Sequence, residues 1–215
     1  MQQTNNNSAG DAVKFIKAGP VHVPGMVQCH INAFPGRFMT EMGYHWLYAL
    51  YLFFIKHRGG ICLVAVDIGE TVVGLAVGGD PNIRDEFLSS AMFRYPHLIF
   101  FKFLCKRPVR RVLLKELARK FNRSRAVDNS RDTKGQSDVN RSGNLLSLCV
   151  LPDYKGTGVG GKLIESYKLA CADEGYQRLT LSVVSENTRA MAFYRKHGWR
   201  RSGTSGASIK FSLDL

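Results

Sequence analysis

The residues of this chain best suited to chemistry lie between Lys155 and Lys162, a run that reads KGTGVGGK. Glycine at 156, 158, 160 and 161 removes the side chains that would hold an anion away from the backbone. A short apolar run, Leu145 to Leu151, leads into it, and Pro152 and Asp153 mark the turn between them. Behind it, Val159, Leu163, Tyr167 and Ala170 or Cys171 recur at the spacing of a buried helix face. The unit reads as strand, glycine loop, helix. The first amides of that helix have no intrahelical partner, and its dipole favours negative charge there, so the chemistry is phosphate binding.

Two familiar phosphate-binding patterns match this loop in part. Gly156 to Lys162 satisfies the G-x-x-x-x-G-K of a triphosphate site, but Leu163 stands where a Ser or Thr hydroxyl should hold magnesium. Gly156, Gly158 and Gly161 satisfy G-x-G-x-x-G, with Asp173 or Glu174 downstream for a ribose, yet the chain that remains is too short for the strands of a dinucleotide fold. Cys149, between Leu148 and Val150, is a candidate acyl-carrying nucleophile, against the plainer reading of a packed thiol in an apolar strand.

The elements that must position this loop follow from periodicity. Val13 to Lys17 reads as a strand. Pro24 through Phe34 reads as a helix with proline in its first turn, and Phe34-Pro35-Gly36-Arg37 as a loop. A second helix is expected over about Thr40 to His57, with Trp46, Leu47, Leu50, Phe53 and Phe54 on its apolar face and Gly59-Gly60 as its stop. Ile61 to Val66 and Thr71 to Val77 form a hairpin about Asp67 to Glu70, apolar enough to be covered on both faces. Phe87 to Leu104 and Val109 to Phe121 have helical character, and 122–143 reads as polar, basic and flexible. After Gly175 come a strand over Leu179 to Val183, a helix from Asn187 to about Lys196 with Gly198 as terminator, and a closing strand from Ile209 to Leu215. The expected class is α/β (α+β), a mixed and mostly antiparallel sheet with helices on both faces. A disordered tail over 1–10 precedes one domain over 11–215, with a basic inserted region at about 80–143 and a cofactor-binding core at about 144–200.

The last third carries a more specific pattern. A strand ending in Val150, then Lys155-x-x-Gly158-x-Gly160, a second strand, and Asn187-x-x-Ala190-x-x-x-Tyr194-x-x-x-Gly198-Trp199 together resemble the Gcn5-related N-acetyltransferase (GNAT) superfamily. The resemblance is strong over about residues 144 to 200, and the order of the preceding elements agrees with it. It implies acetyl-CoA as co-substrate, without a metal. The pyrophosphate would lie on the amides from Gly156 through Thr157, Gly158, Val159 and Gly160 to Gly161, beside Lys155, where the family more often has Gln or Arg. The pantetheine arm would follow the strand at Leu148, Cys149 and Val150. By the same resemblance the Leu148 amide, near a bulge, would serve the carbonyl oxygen, Tyr194 would protonate the departing thiolate, and Asn187 would bond the cofactor arm. A phenol of pKa about 10 facing a thiol of about 8.5 holds a proton to give at neutral pH. Read from the residues alone, Tyr194 is also a core position and Asn187 an N-cap.

The acceptor is less determined. A primary amine must lose its proton to attack, yet the strand NLLSLCV carries no carboxylate, which leaves Glu41, His30, His45 and Glu186 as candidate bases. The family builds its acceptor pocket partly from the loop between the first two helices, here Phe34 to Phe38. The wording AFPGRFMTEMGYHWLYALY is similar to a subgroup associated with bacterial sugar and polysaccharide genes, which points to an amino sugar, with Arg37 and the basic insertion to receive phosphates. A peptide or another small-molecule amine stays open.

Charge is unevenly placed. Of a net +13, residues 102–141 contribute thirteen Lys/Arg against four Asp/Glu. This block admits a second reading, a catalytically weak binding module on nucleic acid or an anionic membrane, ranked below the enzyme because the block lacks regular basic and aromatic interleaving. Five cysteines with no C-x-x-C pair argue against a disulfide frame and a zinc site and favour a reducing, cytoplasmic setting. The polar start MQQTNNNSAG lacks the pattern of a signal peptide. The oligomeric state is open, a dimer among the options.

Overall fold

A computed structural model describes residues 13–94 and 141–215 of the 215-residue chain. The expected tail over 1–10, the helical readings beyond Arg94 and the basic block up to residue 140 lie outside the described residues.

Strands β1 (Lys14–Lys17), β2 (Gly60–Val66), β3 (Val72–Gly79), β4 (Ser142–Val150), β5 (Arg178–Val184), β6 (Arg200–Ser205) and β7 (Ser208–Asp214) form one sheet in the order β1-β2-β3-β4-β5-β7-β6. Every pairing is antiparallel except that of β4 with β5. Helices α1 (Val23–Ala33), α2 (Phe38–Met42), α3 (Tyr44–Lys56) and α4 (Ile83–Arg94) precede β4, α5 (Val159–Asp173) follows it, and α6 (Thr188–Lys196) follows β5.

The sheet is covered on both faces. On one, Met26, Val27, Leu47, Leu50 and Tyr51 of α1 and α3, with Ile83, Phe87 and Ala91 of α4, pack on Cys62, Val64, Leu75 and Val77. On the other, Leu163, Ile164, Tyr167 and Cys171 of α5, with Met191 and Tyr194 of α6, pack on Ala65, Val73, Ala76 and Leu181. β3 is buried at every residue, which explains why its sequence is apolar without alternation.

Three element readings change. The expected helix over Thr40 to His57 is two helices, α2 and α3, because Gly43 takes φ 89°, a value that no helix interior accommodates. The helix expected from Phe87 begins at Ile83, whose buried side chain starts the packed face. Strand β6 was not anticipated. Its RRSGTS is mostly exposed and carries no apolar alternation, and only pairing with β7 makes it a strand.

The feature that makes a site is the behaviour of β4. A bulge interrupts its pairing with β3, where Val77 faces Ser147 but Gly78 faces Leu145. On its other edge β4 pairs with β5 only from Ser142 to Asn144, so residues 145–150 have no strand partner there among the described residues. The two strands part at the place where the second half of β4 begins.

Candidate active site

The parting of β4 and β5 opens a cavity of about 790 Å³. Leu151 donates its N–H to the Val73 carbonyl at 2.8 Å, which assigns Leu151 to the β3 side of the ladder. Antiparallel alternation then gives Cys149 and Ser147 to β3 as well, and turns the amide and carbonyl of Leu148 and Val150 toward the space left by β5. A strand edge with free donors and acceptors thus forms one wall.

The glycine loop forms the far end. After the turn at Pro152–Tyr154, Gly156 and Gly158 sit at φ 88° and 89°, with no atom of the described residues within 4 Å of where a Cβ would lie. Glycine is needed there for the backbone bend, not for want of room. Lys162 is the first residue of α5 to donate back, to the Gly158 carbonyl at 3.0 Å. The amides of Val159, Gly160 and Gly161 are therefore without a backbone partner among the described residues, and none of those residues' side chains caps the helix. Tyr154 fastens the loop. Its hydroxyl donates to Asp67 Oδ2 at 3.2 Å in the β2–β3 turn, and its carbonyl accepts from the Thr157 hydroxyl at 2.8 Å.

Leu148, Cys149, Val150, Lys155, Gly156, Gly158, Gly160, Gly161, Asn187 and Tyr194 all line the cavity. Thr157 and Val159 do not: Thr157 turns back on Tyr154, and the Val159 side chain is fully buried in the core, leaving only its amide at the helix start. Asn187 caps α6, its Oδ1 accepting from the Ala190 amide at 3.1 Å. The cap engages only the oxygen, and the side chain still borders the cavity.

Tyr194 is 8% exposed, packed edge-on against Trp199 with ring centroids 5.9 Å apart. Burial, with Cys149 nearby, pushes its phenol above the usual value, so it stays protonated at neutral pH. Its hydroxyl has no hydrogen-bond partner among the described residues. Cys149 is buried with its sulfur 3.9 Å from that of Cys29, and burial holds its thiol well above the ordinary value. A thiol so placed is packing rather than a nucleophile.

The four candidate bases separate. Only Glu186 lines the cavity. His30 is 5% exposed with its Nδ1 2.5 Å from the Tyr51 hydroxyl, and burial lowers its pKa to about 4. Glu41 and His45 lie on α2 and α3, outside the lining. The loop between the first helices does reach the site through Phe34, Pro35 and Arg37.

Sequence reasoning missed Tyr154, Arg189, Phe193, Lys196 and His197, all of which line the cavity. The signal was present in α6, where Arg189, Phe193 and Lys196 fall at i, i+4 and i+7, one face of a helix. With Lys155 they give the glycine end three cations, Arg37 stands at the loop, and Glu186 is the one acid in the lining among the described residues. Among the described residues no group of three or more His, Cys, Asp or Glu side chains is placed to hold a metal ion. No described helix is long and apolar enough to cross a membrane.

Comparison with known proteins agrees with this geometry. Residues 127–199 match the model of the acetyltransferase (GNAT) family. A protein of Bacillus subtilis described as an uncharacterized N-acetyltransferase is 38% identical over 58 residues, 27% of this chain and 39% of that protein. The thialysine N-epsilon-acetyltransferase of Bos taurus is 37% identical over 54 residues, 25% of this chain and 32% of its own. The match thus spans well under half the length of these relatives. The crystal structure of the PaiA N-acetyltransferase of Thermoplasma acidophilum in complex with coenzyme A superposes over 94% of this chain and 99% of its own, with a TM-score of 0.59 and 13% identity. The fold is that of the GNAT acetyltransferases.

Proposed function

We propose that this chain, a GNAT-fold protein whose segment 127–199 carries that family's sequence, transfers an acetyl group from acetyl-CoA to a primary amine of a small molecule, directly and without an enzyme-bound acyl group. The observation that carries the reading is the parted strand pair, which sets the free backbone groups of Leu148 and Val150, the unpartnered amides of Val159 to Gly161 and the Tyr194 hydroxyl around one cavity.

The residues fit the co-substrate. Unpartnered amides at the start of a 15-residue helix, with Lys155, Arg189 and Lys196 about them, suit a diphosphate. The edge of β4 suits an amide-containing arm by strand-like pairing. When bound, acetyl-CoA supplies an activated acyl carbon on a good leaving group. The amine nitrogen forms the new C–N bond as the C–S bond breaks, the amine loses a proton, the sulfur gains one, and the products are an amide and free CoA.

The chain's own groups serve those changes. The Leu148 N–H donates to the carbonyl oxygen as it gains charge. Tyr194 gives its proton to sulfur, and burial keeps it protonated for that purpose. Asn187 offers its amide nitrogen while its oxygen holds the cap. Glu186 takes the proton of the amine, directly or through water, since of Glu41, His30, His45 and Glu186 it alone lines the cavity. Arg37, exposed at the acceptor loop, favours an amine that also carries an anionic group, such as an amino sugar phosphate.

Calorimetric titration with acetyl-CoA tests the first half, with a dissociation constant at or below about 50 μM expected and no detectable binding refuting it. An amine panel read by release of free thiol tests the second. Phosphorylated amino sugars should turn over faster than their neutral parents, and an Arg37→Ala variant should lose that preference.

A further inference from the structure

Gly161 raises a question that the backbone does not answer. It lies inside α5 at an ordinary helical φ, where alanine would be more favourable by up to about 1 kcal/mol. The space that alanine would need is taken by a side chain. A Cβ at Gly161 would stand 3.3 Å from Cε1 and 3.5 Å from Nε2 of His197, so the missing methyl lets an imidazole rest on the first turn of the helix.

That imidazole is held in a defined orientation. Its Nδ1 lies 2.8 Å from Glu165 Oε1, its ring packs on Phe193 with centroids 4.5 Å apart, and its side chain is 17% exposed. Lys168 closes the arrangement, donating to both oxygens of Glu165 at 2.9 and 3.1 Å and to the His197 carbonyl at 2.7 Å. Burial pushes the Glu165 carboxyl up, but hydrogen bonds from Lys168 and His197 outweigh it and hold the group below its ordinary value. Glu165 is thus an anion that accepts from Nδ1–H. The opposite nitrogen, Nε2, has no partner among the described residues, and His197 lines the cavity together with Gly160 and Gly161, whose amides begin α5.

We propose that His197, oriented by Glu165, is a further contact for the diphosphate of the co-substrate and takes up a proton from solvent as that anion arrives. This rests on the acetyl-CoA reading of the cavity. With Nδ1–H committed to Glu165, Nε2 of the neutral ring can only accept, and a phosphate oxygen gives it nothing to accept. Protonation turns Nε2 into a charge-assisted donor, which Glu165 on one side and phosphate on the other both favour. The other charged residues of the two helices are Lys162, Lys168 and Asp173 on α5 and Arg189, Arg195 and Lys196 on α6, and Arg37, Lys155 and Glu186 also line the cavity. Lysine and arginine side chains as a class titrate far above an imidazole and carboxylates well below it, so among these residue types the imidazole is the one suited to change charge near neutral pH. Glu165 is the positioning residue and His197 the binding one.

The test is calorimetric titration of the full chain with acetyl-CoA, its 3′-dephospho form and S-acetylpantetheine, which lacks all phosphates. Each is run at about pH 6 and about pH 8, in buffers of different ionisation heat. Wild type should take up a fraction of a proton and bind both diphosphate-bearing ligands more tightly at the lower pH. A His197→Gln variant, which can keep the bond to Glu165, should bind those two about tenfold more weakly. It should lose the pH dependence and leave S-acetylpantetheine unchanged. In a Glu165→Gln variant the pH dependence should persist with its midpoint moved down. The inference is overturned if His197→Gln keeps wild-type affinity and pH slope, if it weakens all three ligands alike as a packing residue would, or if the effect is lost with the dephospho ligand. No binding of acetyl-CoA to wild type would overturn the acetyltransferase reading and this inference with it.

Discussion

Replacing Tyr194 by phenylalanine separates a structural role from a chemical one. The ring contributes to the core against Trp199 and Phe211, at centroid distances of 5.9 and 6.4 Å, and phenylalanine keeps all of that. The hydroxyl has no hydrogen bond to lose among the described residues, so stability should change by no more than about 0.5 kcal/mol. If the hydroxyl gives its proton to sulfur, kcat should fall by about 100-fold or more, equal to at least about 2.7 kcal/mol in the barrier, with KM for acetyl-CoA nearly unchanged. Because burial raises the phenol above its usual value, wild-type activity should show no loss assignable to this group below about pH 10. Thiol release under saturating acetyl-CoA and amine, alongside a thermal melt, measures both quantities. A variant within about threefold of the wild-type kcat, or one whose whole deficit lies in KM, would refute the assignment and leave Tyr194 as core.

The remaining predictions use other parts of the structure. Gly158→Ala should destabilise by about 1–2 kcal/mol because φ 89° is forced on an L-residue. Gly160→Ala, at helical φ with Val150 Cγ2 at an ordinary 3.6 Å, should raise the melting temperature while weakening acetyl-CoA in calorimetry. Burial raises Cys62 and Cys171 to about 12 and Cys149 well above its ordinary value. Iodoacetamide near pH 8 should therefore leave peptides carrying these three unlabelled until the protein is denatured, and Cys149→Ala should retain turnover. His30 titrates at about 4 rather than 6.5, lowered by burial, so its neutral form contributes stability in full above pH 6.5 that is lost as pH falls toward 4. The loss amounts to about 3 kcal/mol, and denaturant melts should show that part of the acid slope missing in His30→Gln.

What could be read without the fold is what depends on near neighbours in the chain. The glycine loop is legible because positive φ at 156 and 158 and an open helix start are properties of the backbone itself. The hairpin of β2 and β3 announced itself by two apolar runs about Asp67 to Glu70, and Asn187 by its place before a helix. Where local signal was weak the reading failed: Gly43 split a helix whose apolar face continued across it, and polar β6 became a strand only through β7.

The site itself needed the tertiary structure. Nothing in the wording of β4 or β5 says that they pair from Ser142 to Asn144 and then separate, because each is a regular strand and the cavity is the space between them. Nor does the sequence rank Glu186 above Glu41, His30 and His45, since proximity to the cavity is set by the packing of distant elements. Glu165 and His197 are 32 residues apart and meet because α5 and the end of α6 lie on the same face of the sheet. Conformation local to the six residues from Gly156 to Gly161 makes the glycine loop legible as a candidate anion cradle from the sequence. Which side chains surround that loop, and with what charge, was decided by contacts between segments that only a folded core brings together.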